Sequence, residues 1–320
     1  MPVKNAGLFL EECLSSILSQ TETDWELIAV NDHSTDNTLQ LLQRFAKQET
    51  RISVLENSGS GIIDALRTAY SAANGNLITR MDADDRMAPQ KLEILKENLL
   101  REKKGNVATG LVNYFSDAAL GDGYRYYEKW LNGLTKQGNN YQDIYRECVI
   151  PSPCWMVFRA DLDACKAFEP DVYPEDYDLC FRFYQHKLKP IPCSDLLHFW
   201  RDHAARTSRN DPHYADNRFL QLKLHWFLKI DHNPEKTLVL WGAAKKGKEL
   251  AKGLLAAKIP FTWVCNNPNK INKHVYGQKM LNANVVSEMK NTQFIIAVAN
   301  KDEQEKIELQ MKNNAAFFFC

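Results

Sequence analysis

Leu77-Ile78-Thr79-Arg80-Met81-Asp82-Ala83-Asp84-Asp85 decides how this chain is read. The stretch begins as a short, mostly apolar run of the kind that makes a buried strand, and it ends abruptly in three carboxylates. In an open α/β sheet such a strand delivers its acids to the carboxyl edge, where these sheets bind ligands. Clustered carboxylates are costly to ionise together unless a cation neutralises them. Mg²⁺ or Mn²⁺ suits that task, because either ion takes one or two carboxylates plus the oxygens of a diphosphate. Taken alone, the same residues also fit a solvated acidic turn ahead of a helix starting near Pro89.

Outward from this run the chain alternates strand and helix. Residues 25–31 (WELIAVN) read as a buried strand, and 38–48 as a helix with Leu39, Leu42 and Phe45 in periodic positions. A strand at 51–55 follows, then a helix at 62–73 with Ile62, Ala65, Leu66 and Ala69 on one face, closed by Asn74-Gly75. The next helix is expected at 89–100. This alternation predicts an α/β fold with a mainly parallel sheet flanked by helices. Met1-Pro2-Val3 reads as the tail of a first strand, whose beginning is expected upstream of Met1. Residues 106–197 are less regular and rich in aromatics.

An amphipathic helix is expected at 210–230, carrying Phe219, Leu220, Leu224, Trp226 and Phe227. It fits a packing helix between domains better than a membrane-surface helix, because its polar face is not strongly basic. Asp231-His232-Asn233-Pro234 is the linker candidate. A second βα pattern follows, with strands at 237–241, 261–265, 293–298 and 316–319 and helices at 245–257 and 303–312. The expected organisation is a catalytic domain over 1–210, a helical segment and linker over 211–235, and a small Rossmann-like domain over 236–320.

The bulk numbers bound the function. The chain has 320 residues, 44% of them hydrophobic and 25% charged, so each domain has material for a core. Lys plus Arg and Asp plus Glu are 40 each, a balance that gives no footprint for nucleic acid. The eight cysteines form no C-x-x-C pair and fit reduced, buried thiols. No basic and apolar leader and no run of membrane-spanning length is visible. The expected location is the cytoplasm, with peripheral docking at the inner face of a membrane left open.

The acidic run also carries a resemblance. Asp82-Ala83-Asp84 looks like the D-x-D motif of GT-A-fold nucleotide-sugar transferases, glycosyltransferase family 2 in particular. Met1-Pro2-Val3-Lys4-Asn5 resembles that family's M-P-V-Y-N start, and Val30-Asn31-Asp32-His33-Ser34-Thr35-Asp36-Asn37-Thr38 its V-N-D-G-S-T-D-x-T segment. The resemblance covers 1–210. It implies an inverting transfer of a sugar from a nucleoside diphosphate donor, by family default a UDP-sugar, to a saccharide or lipid-linked saccharide hydroxyl. Cell-surface polysaccharide or glycoconjugate synthesis is the implied setting. Pro2, Val3, Asn5 and Asp32 would form the nucleotide pocket. Asp82 would contact the ribose or metal, Asp84 would bind Mg²⁺ or Mn²⁺, and Asp85 would support them or cap a helix. Lys4 stands where the family usually has an aromatic, which bears on base stacking, and His33 replaces a usual glycine, which bears on the turn.

Two more segments match. Glu175-Asp176-Tyr177-Asp178-Leu179 precedes a helix and, on its own, reads as a cap. Its likeness to the family's E-D-x-D-L motif implies Asp176 as general base. Trp200-Arg201-Asp202-His203, with Arg206, resembles the family's Y-R-x-H segment. That implies His203 on the metal or diphosphate and Arg201 on phosphate or in a closing loop. His198 reads as structural. Trp155 and Glu175 are assigned to the acceptor side, although Trp155 fits a core tryptophan equally well.

Gly242-Ala243-Ala244-Lys245-Lys246-Gly247 follows a strand and opens a helix as a dinucleotide fingerprint would, but its middle glycine is replaced. The acid expected after the second strand is missing too, where Cys265-Asn266-Asn267 stands. A structural or interaction role is therefore expected of this domain, which resembles Rossmann-like modules fused to bacterial glycosyltransferases. Two alternatives to transfer remain: a catalytically impaired sugar- or partner-binding protein, and a sugar-phosphate nucleotidyltransferase. The latter ranks lower because its glycine-rich, Arg-bearing loop after the first strand is absent.

Overall fold

The computed structural model describes residues 1–320 except 117–118, 170, 205, 211–217 and 312–314. Its contacts separate into two compact units: Met1–Gln142 with Val149–Asn210, and Asp143–Cys148 with Asp211–Cys320.

The first unit opens with β1 (Pro2–Val3), α1 (Leu10–Leu18), β2 (Leu27–Asn31), α2 (Thr38–Gln48), β3 (Ile52–Glu56), α3 (Ile62–Ala72) and β4 (Leu77–Thr79). It continues with β5 (Arg86–Met87), α4 (Lys91–Glu102), β6 (Asn106–Thr109), β7 (Leu111–Phe115) and α5 (Asp122–Gln137). After these come β8 (Trp155–Phe158), α6 (Arg159–Ala164), α7 (Glu175–Gln185), β9 (Lys189–Ile191), β10 (Leu196–Arg201) and the short α8 (Thr207–Asn210). The strands pair in the orders β1-β2-β3, β4-β8-β6-β9 and β5-β10-β7. The first group is parallel throughout, and β10 runs parallel to β7.

These elements follow from their residues. Every position of β2 is buried, as in a strand covered on both faces. Helix α2 buries Thr38, Leu42 and Phe45, the one-face spacing of a 3.6-residue repeat. Helix α4 buries Leu92, Leu95 and Leu99 in the same way, and with them a lysine, Lys91. The irregular 106–197 stretch resolves into short strands, the long helix α5 and the shorter helices α6 and α7, separated by loops without a common period.

Strand β1 has only two residues, registered as Pro2↔Val30 and Val3↔Asn31. The Met1 amine is buried and donates to the Ile28 carbonyl at 2.8 Å. Alongside lies a cavity of about 640 Å³ lined by residues of β2, α3, β4 and β8, among them Ile28, Leu66, Leu77 and Met156. Glu22, Asp24, Glu26, Arg80 and Lys96 line it as well, so its walls are mixed.

The second unit holds α9 (Arg218–Ile230), β11 (Thr237–Trp241), α10 (Lys245–Ala256), β12 (Thr262–Cys265), β13 (His274–Val275) and β14 (Gln278–Asn282). It ends with β15 (Thr292–Ile296), α11 (Lys301–Gln310) and β16 (Ala315–Phe318). The sheet order is β13-β14-β12-β11-β15-β16, parallel except for β13 against β14. Val239, Trp241, Val264, Phe294, Ile296 and Ile307 form its core.

The division departs from the expected boundaries in two respects. Helix α9 groups with the second unit instead of forming a separate segment. So does 143–148, where Tyr145 stacks on Phe319 at 5.1 Å and Arg146 pairs with Glu308 at 3.0 Å. Aromatic stacking and a charge pair link residues too distant in sequence for periodicity to register. Parts of the expected helices at 210–230 and 303–312 lie outside the described residues.

Candidate active site

The site is built at strand ends. Asp32 follows the last residue of β2, and its backbone N–H donates to the Val3 carbonyl at 2.7 Å. Its buried carboxylate accepts from Asn57 Nδ2 at 2.6 Å, the Gly61 N–H at 3.1 Å and Lys4 Nζ at 3.0 Å. Burial pushes its pKa up, but the bonds from Asn57, Lys4 and Gly61 outweigh this and hold it below the usual carboxylate range. Gly61 makes its contact with φ at 88°, a conformation that favours glycine. His33 keeps a glycine-like turn, at φ 54°, with its ring Nε2 2.9 Å from the Gly59 carbonyl.

The residues expected around the nucleotide take different places. Pro2 is partly exposed at the start of β1. The Val3 side chain is 1% exposed and belongs to the hydrophobic core, so its backbone alone reaches the strand end. Asn5 Oδ1 accepts from the Thr35 N–H at 2.8 Å, lacing the two strand-end loops together. Lys4 lies beside Asp32 as an ion partner, in the place where a stacking ring was to be looked for.

The acidic run forms the turn between β4 and β5. Asp84 Oδ2 lies 2.9 Å from His203 Nε2, bringing together two residues 119 apart in sequence. The His203 ring packs on Phe9, with centroids 4.5 Å apart. Arg201 donates from Nε to the Asp84 carbonyl at 2.8 Å and from its guanidinium to Glu12. It also sits over Phe9 and Phe115 at 4.8 and 4.4 Å. A guanidinium engaged in this way, on the last residue of β10, holds the acidic turn, and Arg201 stands neither in a loop nor turned to an open phosphate position. Arg206 lies near Asp84 and Asp85 and reaches Tyr114, contacts that raise its pKa against the opposing effect of burial.

Asp85 is 1% exposed. It accepts from the Arg201 N–H at 2.7 Å and stands 2.9 Å from His198 Nε2. Burial, then the charges of Asp84 and Asp82, push its pKa well above the usual range. His198 Nδ1 in turn lies 3.1 Å from Lys91 Nζ. Burial, then the Lys91 charge, keep His198 well below its ordinary pKa.

The base-bearing segment is tied to the acidic run by Arg80. This side chain is 6% exposed, donates to Asp82 Oδ1 at 3.0 Å and reaches Glu175 Oε1 at 2.9 Å. Glu175 and Asp176 open α7, where the helix N-terminus favours anions. Asp176 is partly exposed, and its Oδ1 accepts from the Tyr177 N–H at 2.8 Å. Burial, then the neighbouring Glu175 charge, push its pKa to about 7, with Arg80 pulling the other way.

Both acceptor-side assignments change. Trp155 is 2% exposed, packs edge-on against Phe183 at 5.7 Å and is a core tryptophan. Glu175 is buried and spent on Arg80. Sequence reasoning missed Arg80 and Lys91, although an arginine directly after an apolar strand and a lysine in register with the leucines of an amphipathic helix are each a signal of a buried charge that needs a partner.

Among the described residues, no group of three or more His, Cys, Asp and Glu side chains is placed to hold a metal. The Asp84–His203 pair nonetheless offers one carboxylate oxygen and one imidazole nitrogen at 2.9 Å. That donor set fits a divalent ion that completes its shell with water and diphosphate oxygens.

Comparison with known proteins supplies the family. The model for Glycosyl transferase family 2 matches residues 1–165. Glycosyltransferase GlyA of Streptococcus pneumoniae is 27% identical over 217 residues, covering 65% of this chain and 31% of that protein. The crystal structure of S. aureus TarS 1-349 in complex with UDP aligns with a TM-score of 0.52 at 16% identity, covering 79% of this chain and 69% of that one. Mannosyltransferase PcManGT from Pyrobaculum calidifontis, in complex with GDP-Man and Mn²⁺, aligns with a TM-score of 0.52 at 18% identity, covering 80% and 73%. At such identities the structural likeness speaks for the fold, which is the mixed α/β arrangement of GT-A glycosyltransferases. With the family model matching over half of its length, the chain belongs to glycosyltransferase family 2.

Proposed function

We propose that this chain transfers a sugar from a nucleoside diphosphate donor, first of all a UDP-sugar, to a saccharide or lipid-linked saccharide hydroxyl with inversion at the anomeric carbon. The observation that carries the proposal is the Asp82–Arg80–Glu175 bridge, which couples the acidic run to the helix start bearing Asp176. A donor site and a base in one frame are what a single in-line displacement needs. The complexes of the similar folds, with UDP in one and GDP-Man and Mn²⁺ in the other, support a nucleotide donor.

Asp32 and Lys4 hold the base edge, with an acceptor and a donor side by side. Asp84 and His203 would hold a divalent ion, and Asp82 would contact the ribose or the metal. When bound there, the ion supplies positive charge to the departing diphosphate. Asp176 accepts the acceptor hydroxyl's proton as the new C–O bond forms and the bond to the diphosphate breaks. A pKa near neutrality suits that role. Arg206, near Asp84 and Asp85, offers a cation on the same side as that pair.

The proposed setting is cytoplasmic synthesis of cell-surface polysaccharide or glycoconjugate, with peripheral membrane docking. Among the described residues no helix is long and apolar enough to cross a membrane. The test is incubation with UDP- and GDP-sugars and Mn²⁺, with the anomeric configuration of the product read by NMR. An inverted product is expected. A retained configuration overturns the displacement. Mn²⁺-dependent nucleotide binding without turnover of any donor points to a binding protein.

A further inference from the structure

Lys91, His198 and Asp85 are 0%, 0% and 1% exposed and form a line of polar groups beneath the acidic turn. Lys91 Nζ donates to the Pro153 carbonyl at 2.5 Å and lies 3.1 Å from His198 Nδ1. His198 Nε2 lies 2.9 Å from Asp85 Oδ2, and Asp85 Oδ1 takes the Arg201 N–H at 2.7 Å. With Lys91 as an ammonium, which only donates, Nδ1 accepts and Nε2–H donates to Asp85 Oδ2.

Stability does not explain this line. Lys91 sits on the same helix stripe as Leu92, Leu95 and Leu99, where an apolar side chain would pack without losing a hydrated charge. Burying an ion costs several kcal/mol, and buried ion pairs are often no more stabilising than well-packed apolar residues. The geometry suggests what is gained. Asp85 is the chain neighbour of Asp84, and His198 and Arg201 lie on β10, which leads directly to His203. The line therefore fastens both sides of the Asp84–His203 pair to one frame.

We propose that Lys91, His198 and Asp85 form a positioning relay that sets the spacing of Asp84 and His203 for the metal–diphosphate site. This rests on the donor-site reading above, and the test separates the two. Gln can accept and donate as the neutral His198 ring does, whereas Leu fills similar space and does neither. Wild type, His198→Gln, His198→Leu and Lys91→Met are titrated with Mn²⁺ in the presence of UDP or GDP. Binding is followed by calorimetry and by loss of the free Mn²⁺ EPR signal, with the melting temperature of each variant recorded separately.

The relay predicts a near wild-type Mn²⁺ half-saturation for His198→Gln, and a rise of about tenfold or more for His198→Leu and Lys91→Met, in the range seen when groups supporting metal ligands are removed. A folded His198→Leu or Lys91→Met with wild-type half-saturation overturns the relay, because a merely structural role would lower the melting temperature alone. Should His198→Leu fail to fold, His198→Asn, which retains part of the bonding, decides: an intermediate half-saturation supports the relay and a wild-type value overturns it. If wild type itself shows no Mn²⁺-dependent binding of UDP or GDP, the donor-site reading falls and the relay with it.

Discussion

Two strand-end loops invite comparison, the acidic turn after β4 in the first unit and the glycine-rich loop after β11 in the second. Strand β4 ends beside an antiparallel partner, β8, and its turn leads into β5, whereas β11 lies between parallel neighbours and its loop leads into α10. In the first, side chains do the work: Asp84 and Asp85 are engaged by His203 and His198 from distant segments, and Asp82 by Arg80 of the same run. In the second, the loop carbonyls are taken up internally. Trp263 Nε1 donates to the Gly242 carbonyl at 2.8 Å, and Lys270 Nζ donates to the Ala243 carbonyl at 2.8 Å. Its glycines serve close chain approach, since a Cβ on Gly247 would lie 2.1 Å from the Gly242 carbonyl oxygen. A strand end in an α/β sheet is thus a location for function. Buried charge that folding does not require marks where function was placed. We propose a structural or interaction role for the second unit.

The comparison can be broken at several points. The largest effect is expected from Asp176→Asn, with kcat falling by about 10²–10⁴-fold, the usual contribution of a general base, while nucleotide affinity measured by calorimetry is unchanged. Wild-type turnover by this variant would end the base assignment. The wild-type rate should rise with pH and level off above about 7, because the Asp176 carboxyl is protonated below that value and cannot take a proton. The same shift bears on stability. A carboxyl that ionises at 3.8 when unfolded and near 7 when folded binds more protons in the native state between those values, so this group's contribution to stability falls as pH rises through that window.

Arg80→Met removes the buried cation shared by Asp82 and Glu175, and a loss of about 3 kcal/mol in denaturant-measured stability is expected, as for a broken buried pair. Asp84→Ala should abolish the Mn²⁺-dependent part of nucleotide binding, an effect of about 10–100-fold in apparent affinity by calorimetry. In the second unit, Gly242→Ala places a Cβ 2.7 Å from the Ala297 carbonyl oxygen at φ 130°. A stability loss of about 1–3 kcal/mol is expected there, with unchanged nucleotide binding. The smallest effect is none: NAD⁺ or NADH should leave the melting temperature where it is, and a concentration-dependent rise would restore a dinucleotide site to the second unit.

The sequence alone made β2, α2, α3, β11 and α10 legible, because each repeats its buried positions at the period of its own geometry. It made the acidic run legible as well, because three carboxylates behind an apolar strand have few inexpensive explanations. Local pattern did not reveal which residues those carboxylates meet. Arg80 joins Glu175 across 95 positions, His203 joins Asp84 across 119, and Lys91 joins His198 across 107. Trp155 illustrates the opposite limit: an indole suits a sugar face or a core equally well, and only its 2% exposure decides. Periodicity and strand-end chemistry are local and survive in one dimension. Burial, ion pairing and pKa depend on which surfaces the folded chain removes from water, and only the tertiary structure determines that.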